Sequence, residues 1–238
     1  MKLDILAIGA HPDDVELGCG ATIAKAVAEG KKVGILDLTR GELGTRGSAE
    51  IRDKEATAAA KILGVAVREN LAFADGFFVN DKKHQLEVIK IIRKYQPKIV
   101  LCNAVADRHI DHPKGSQLVS ESCFLSGLVK VETELEGNIQ EAWRPKHVYH
   151  YIQWQNLKPD FVVDVGVFIK TKLASVKAYN SQFYDPKSKE PVSPITSKNF
   201  LDSITYRAKD LGRLIGADYA EGFTVERFVA VNSFDDLI

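Results

Sequence analysis

The chain has 238 residues, 45% of them hydrophobic, and its 32 lysines and arginines balance 32 aspartates and glutamates. That length sustains a substantial apolar core, while the zero net charge leaves no global field to attract nucleic acid, an anionic membrane or a polyanionic substrate. No apolar run approaches the roughly 18 residues of a membrane span, and the three cysteines, Cys19, Cys102 and Cys123, are odd in number and lack CxxC spacing, which excludes a disulfide framework and points to a reducing cytoplasm.

In chain order, Leu3 to Gly9 is a short apolar run. It reads as a buried strand rather than a signal peptide, because it runs directly into His11-Pro12-Asp13-Asp14 with no cleavage region. Gly20 to Glu29 carries alanine, isoleucine and valine at helical spacing, Lys32 to Leu38 repeats the strand signal, and alanine-rich Glu50 to Leu63 predicts a helix that Gly64 stops. Val67 to Phe73 predicts the third strand. Lys83 to Tyr95 sets Leu86, Ile89 and Ile92 on one helical face before Pro97, and Ile99 to Cys102 follows as the fourth strand. This alternation predicts a doubly wound α/β domain, a mostly parallel sheet with helices on both faces. Beyond about residue 125 the pattern loosens. Val131 to Trp143 is polar, His147 to Gln153 and Phe161 to Val165 read as later strands, a helix follows from Val167, Tyr184 to Ser197 is a loop, and Asn199 to Leu214 is another helix.

Two polar clusters stand at telling places. Gly9-Ala10-His11-Pro12-Asp13-Asp14-Val15-Glu16 follows the first strand, and Asp107-Arg108-His109-Ile110-Asp111-His112-Pro113 follows the fourth. In a sheet of order 3-2-1-4, the carboxyl ends of strands 1 and 4 flank the switch point where open α/β sheets form their ligand crevice, so the clusters converge there. A zinc site that performs chemistry uses three nitrogen or oxygen ligands and keeps a fourth position for water. His11, Asp14 and His112 can supply that set, and other divalent transition ions such as iron, cobalt or manganese suit the same ligands. Spacing alone allows either Asp13 or Asp14 to be the ligand and leaves the other for proton transfer. Asp13 also stands where a helix cap would.

His11-Pro12-Asp13-Asp14 with Glu16, Gly18 and Gly20, together with His109-x-Asp111-His112, resembles the LmbE-like, or PIG-L, family of N-acetylglucosaminyl deacetylases. Gly41-Glu42-Leu43-Gly44-Thr45-Arg46-Gly47, Arg52-x-x-Glu55 and Asp75-Gly76 resemble the bacillithiol-pathway members, which act on N-acetylglucosaminyl malate. The resemblance covers most of the chain. It implies a Rossmann-like core over residues 1–125 and a C-terminal portion, residues 126–238, that completes the pocket of one deacetylase domain. It implies that His11, Asp14 and His112 hold zinc, that Asp13 is the general base, and that His109 is a general acid oriented by Asp111. It also implies an oligomer, often a hexamer, acting on a small N-acetylated amino sugar. Ala21 departs from the pattern, since relatives often have glycine there; the extra methyl tightens the turn but removes no chemical group.

For substrate contacts, Asp75 is a candidate acceptor of sugar hydroxyl groups, and Arg52 or Arg108 a candidate bidentate clamp on a malate carboxylate. Each has a plainer reading, Arg52 with Glu55 as a helix-surface pair and Asp75-Gly76 as a turn. His84, His147 and His150 lack metal spacing and read as structural. Free N-acetylglucosamine and chitooligosaccharides are alternative substrates. A noncatalytic metal-, sugar- or nucleotide-binding protein is the alternative of another class, with Asp37 at the distance expected of a ribose-binding acid but Ile23 spoiling the glycine fingerprint of Gly18-Cys19-Gly20.

Overall fold

The computed structural model describes residues 1–237. Its first half runs β1 (Ile5–Gly9), α1 (Asp14–Ala28), β2 (Val33–Thr39), α2 (Ala49–Leu63), β3 (Val67–Phe73), α3 (Lys82–Tyr95), β4 (Ile99–Cys102) and α4 (Asp111–Leu125). There follow β5 (Glu134–Leu135), β6 (Asn138–Ile139), β7 (His147–Tyr151), β8 (Phe161–Asp164), α5 (Ile169–Lys177), α6 (Lys198–Arg213) and β9 (Ala220–Val225). Seven strands form one sheet in the order β3-β2-β1-β4-β7-β9-β8, and β5 and β6 make a separate hairpin. The pairs from β3 through β7 are parallel, so the 3-2-1-4 order expected from the sequence is present. β9 lies antiparallel to both β7 and β8.

The alternation along β1 shows why the sheet is covered on both sides. Leu6 and Ile8 pack with Val88, Ile92 and Leu118 of α3 and α4, whereas Ile5 and Ala7 pack with Val15, Ile23 and Leu63 of α1 and α2. Strands buried on both faces read as continuous apolar runs, as β1, β2 and β4 do. A third cluster joins Ala56 and Ala59 of α2 to Val176, Tyr179, Phe183 and Ile204, seating the C-terminal helices over α2.

Several elements differ from expectation, among them the β5–β6 hairpin within the stretch read only as polar. α1 starts at Asp14 rather than Gly20, because a short segment before a kink at Cys19 is itself helical. Glu221 of β9 accepts hydrogen bonds from the amides of Ala21 (3.2 Å) and Thr22 (2.7 Å) just past the kink, and Lys172 of α5 pairs with Glu221 at 2.5 Å. The residue patterns do not predict α4, nor β9, which fills the gap between β7 and β8.

Gly18 sits before the kink because nothing larger fits. A Cβ there would lie 2.1 Å from the ring of Tyr151, which is fully buried and donates its hydroxyl to the carbonyl of Ile8. Gly18→Ala is therefore expected to lower unfolding stability by about 1–3 kcal/mol through overpacking. Urea denaturation measures this; an unchanged midpoint would mean that the ring moves aside freely.

Candidate active site

The turn between β1 and α1 brings His11, Asp13 and Asp14 to the carboxyl edge of the sheet. All three are buried. Asp13 adopts φ 112°, a left-handed conformation unusual for a residue with a side chain, and makes no capping hydrogen bond. The capping role is thus excluded, and the backbone strain, worth on the order of 1–3 kcal/mol, marks a position set by its surroundings rather than by local preference.

Asp14 is the centre of the arrangement. Its Oδ2 accepts hydrogen bonds from the main-chain amide of His11 (2.9 Å) and from Asn103 Nδ2 (2.9 Å). Its Oδ1 accepts from Gln153 Nε2 at 2.9 Å and lies 3.1 Å from His112 Nε2. His11 Nδ1 faces Asp14 Oδ2 at 3.5 Å. The far nitrogen of each imidazole meets another carboxylate, His11 Nε2 with Asp75 Oδ1 at 3.0 Å and His112 Nδ1 with Asp107 Oδ2 at 2.7 Å. Burial would raise the Asp14 carboxyl, but the charge of His112 and hydrogen bonds from both imidazoles hold it well below the usual range.

This donor set fits a divalent transition ion. Two imidazoles each turn one nitrogen towards a shared carboxylate and are braced from behind by another, the arrangement that fixes the tautomer of histidines bound to metal. Single donor atoms within 4.8 Å of one another are offered by His11 with His109 and His112, and by His11 with Asp75 and Asp111. Asp14 belongs to neither, and meets the two imidazoles through different oxygens. We favour the grouping around Asp14, which gives both histidines a carboxylate brace.

Asp13 stands beside this cluster with Arg52 Nη1 3.3 Å from its Oδ2. Burial pushes its carboxyl up to about 7; Arg52 pulls it down and the neighbouring Asp14 charge pushes it up further. The His109 ring is 4.5 Å from that of His11 and 5.1 Å from that of His112, measured between centroids. Burial, together with the charges of those two rings, lowers its pKa, and its Nδ1 accepts the main-chain amide of Asp111 at 3.3 Å. That bond leaves the ring proton of neutral His109 on Nε2.

Several sequence expectations need correction. The Asp111 carboxylate does not orient His109: it accepts from the Gly76 amide (2.7 Å), pairs with Lys114 Nζ (2.6 Å) and lies 3.4 Å from His11 Nε2, so only its backbone reaches His109. Arg52 is neither a surface pair nor a free substrate clamp. It is buried and donates to the Pro12 carbonyl (2.6 Å) and to Gln182 Oε1 (2.7 Å) as well as facing Asp13. Asp75 braces His11 through one oxygen and accepts the Leu43 amide at 2.9 Å through the other, so it is first of all a structural tie of this site. Arg108 alone of the three is exposed, its guanidinium 4.7 Å over the Trp154 ring. Asp37 is buried beneath a two-pronged contact from Arg68, at 2.7 and 2.9 Å, and has no oxygen free for a ribose.

Sequence reasoning missed Asp107, Asn103 and Gln153. The last two are polar residues that follow the apolar strands β4 and β7, a placement that does signal a site at strand carboxyl ends. Asp107 lies five residues before His112, at the head of a cluster already recognised. Together these groups open into a cavity of ≈ 440 Å³ whose wall includes His11, Asp13, Arg108, His109, Trp154 and Arg207.

Comparison with known proteins agrees with this geometry. Residues 6–123 match the model of the family described as PIG-L, GlcNAc-PI de-N-acetylase. The diacetylchitobiose deacetylase of Thermococcus kodakarensis is 29% identical over 94% of this chain and 82% of its own length. Among solved structures, the conserved protein TT1542 from Thermus thermophilus is 36% identical with a TM-score of 0.86, covering 97% of this chain and 98% of that one. The N,N'-diacetylchitobiose deacetylase from Pyrococcus horikoshii is 26% identical with a TM-score of 0.78, covering 98% and 88%. The paired clusters at the switch point, the sheet that carries them and these likenesses together establish that the chain belongs to the PIG-L, or LmbE-like, family of de-N-acetylases.

Proposed function

We propose that the protein hydrolyses the acetamide of an N-acetylglucosaminyl conjugate, with N-acetylglucosaminyl malate as substrate, using a zinc ion held by His11, Asp14 and His112. The observation that carries this reading is Asp14 set between two carboxylate-braced imidazoles, with Asp13 and His109 beside them on one cavity. When bound, the ion supplies Lewis acidity to water and to the acetyl carbonyl, bringing the water's pKa from ~15.7 towards ~7.

The chain's own residues handle the protons. Asp13 takes the proton of the attacking water on its carboxylate and returns it to the departing amine nitrogen, which cannot leave as an anion. Arg52, 3.3 Å away, holds that carboxylate in place. His109, neutral with its proton on Nε2, donates a hydrogen bond to the carbonyl oxygen as negative charge collects there, so its part is oxyanion stabilisation by a neutral imidazole rather than proton delivery by an imidazolium. Asp111 contacts His109 through its main-chain amide.

The exposed Arg108 on the cavity wall, with the resemblance of Gly41–Gly47 to the bacillithiol-pathway members, supports an acidic aglycone such as malate. The likeness to a diacetylchitobiose deacetylase over 94% of the chain favours a second reading, a chitooligosaccharide substrate. All three cysteines are free and buried, which supports a cytoplasmic setting, and no helix among the described residues is long and apolar enough to cross a membrane.

Purified without chelator, the protein is expected to contain about one divalent ion per active chain and to release acetate from N-acetylglucosaminyl malate faster than from diacetylchitobiose or free N-acetylglucosamine. Removing the ion should abolish release. Asp13→Asn and His109→Ala are each expected to lose on the order of 10² to 10⁴ in kcat with metal content retained. Metal lost on replacing His109 would instead make it a ligand, and acetate from none of the three substrates would refute the reading.

Arg52→Met separates positioning from substrate binding. Removing one partner of a buried pair destabilises by roughly 3 kcal/mol, so the variant should unfold at lower denaturant even without substrate. A residue that only gripped substrate would leave the unfolding midpoint in place.

A further inference from the structure

α6 turns one stripe towards the active-site cavity, formed by Phe200, Ser203, Ile204, Arg207, Ala208 and Leu211. Their spacing by threes and fours is that of a single helix face. The stripe is apolar except for Ser203 and Arg207, and Ile204 and Ala208 are buried. A guanidinium in such company gives up hydration, which is costly unless acceptors replace the water.

The arginines that are buried elsewhere have those acceptors. Arg46 donates to the carbonyls of Glu190 and Pro191, Arg52 to Pro12 and Gln182, and Arg68 to Asp37 and Glu16. Arg93 donates to three carbonyls and to Thr133. Arg207 is half-buried, and its guanidinium has no hydrogen bond or ion pair among the described residues. Burial lowers its pKa, opposed by the charge of Asp107, but a guanidinium keeps its proton in proteins. It is a charged, planar five-donor fork on the cavity wall, with no hydrogen bond of its own among the described residues.

Arg207 shares its cavity with the candidate metal cluster. Trp154 lies between the Arg108 guanidinium, at 4.7 Å, and the Phe200 ring, at 5.3 Å, so this stack links Arg108 to the helix on which Arg207 stands two turns further along. Both arginines line the same cavity as His109. Neither belongs to the proton-handling group, and both are cations in a chain with no net charge.

We propose that Arg207 is a specificity-determining residue that receives an oxyanion, a carboxylate or a phosphate, carried by the aglycone of the N-acetylglucosaminyl substrate. This rests on the deacetylase reading above and assigns it a second cation besides Arg108. An aglycone bearing two negative charges would then engage one arginine with each.

The test uses full-length metal-loaded protein, wild type, Arg207→Met and Arg207→Lys. Acetate release is followed from N-acetylglucosaminyl malate, N-acetylglucosamine 1-phosphate and methyl N-acetylglucosaminide, and binding of the three deacetylated products is measured by calorimetry. Arg207→Met is expected to lower kcat/KM for an anionic substrate on the order of 10- to 100-fold, mainly through KM, as for loss of charge-assisted hydrogen bonds, with the methyl glycoside unchanged. Arg207→Lys should restore part of the loss, because it keeps the charge without the fork. A loss confined to the malate conjugate identifies a carboxylate, and one confined to the 1-phosphate identifies a phosphate. Equal effects on all three substrates, or none on the anionic ones, overturn the proposal. If wild type releases acetate from none of them, the deacetylase reading fails by itself and calorimetry decides for Arg207: weakened binding of only the anionic sugars upholds its role, and unchanged binding ends it.

Discussion

The site is organised by the need to keep one carboxylate charged where water cannot reach it. Asp14 is almost wholly buried, and an unpaired charge there would cost several kcal/mol or more. Its neighbours come from four places, the turn after β1, Asn103 after β4, His112 on α4 and Gln153 after β7. Asn103 and Gln153 also bond each other at 2.9 Å, and Asn103 Oδ1 accepts the Ala10 amide at 2.8 Å. Solvating one anion with protein groups therefore fixes the relative positions of three strand ends and a helix, which is what a site requiring placement to a fraction of an ångström needs.

The braces behind the imidazoles extend this logic outward. Asp75 ties His11 to the loop after β3, and its other oxygen holds the Leu43 amide. Asp107 ties His112 to the chain after β7 through the amides of Trp154 and Gln155. Each histidine is thus oriented by a carboxylate that also anchors a loop on the cavity rim. A change in either rim loop is transmitted to ring orientation without any contact between that loop and the reacting atoms.

The parallel half of the sheet is legible from residue patterns because β1, β2 and β4 are buried on both faces and their helices carry regular apolar stripes. β9 is not legible. Gly222 interrupts it and Glu221 points a charge inward, so Ala220–Val225 has no strand-like alternation, and its place is dictated by contacts with β7 and β8. α4 is obscured by Pro113 and Gly115 in its first turns; a Cβ at Gly115 would stand 3.3 Å from Asn103 Oδ1, a tight approach. In the site, the motif residues are read directly from their positions after β1 and β4. The allocation of carboxylates is not, because Asp75, Asp107 and Asp111 look equivalent until the fold decides which imidazole, amide or lysine each one meets. Arg52 and Arg108 show the same limit: two arginines, one spent inside the protein and one left at the surface.

The late position of β9 in the chain bears on how the molecule comes into being. Glu221 holds the amides of Ala21 and Thr22 from 200 residues away, and the kink it secures follows directly on the segment that starts at Asp14. On a ribosome, β1 to β4 emerge with most of their core well before β9, and β7 and β8 stay unjoined until Ala220–Val225 follows them. The amides of Ala21 and Thr22 thus wait for Glu221 long after Asn103, His112 and Gln153 have been made, so the groups around Asp14 precede, in order of synthesis, the contact that secures the kink in α1.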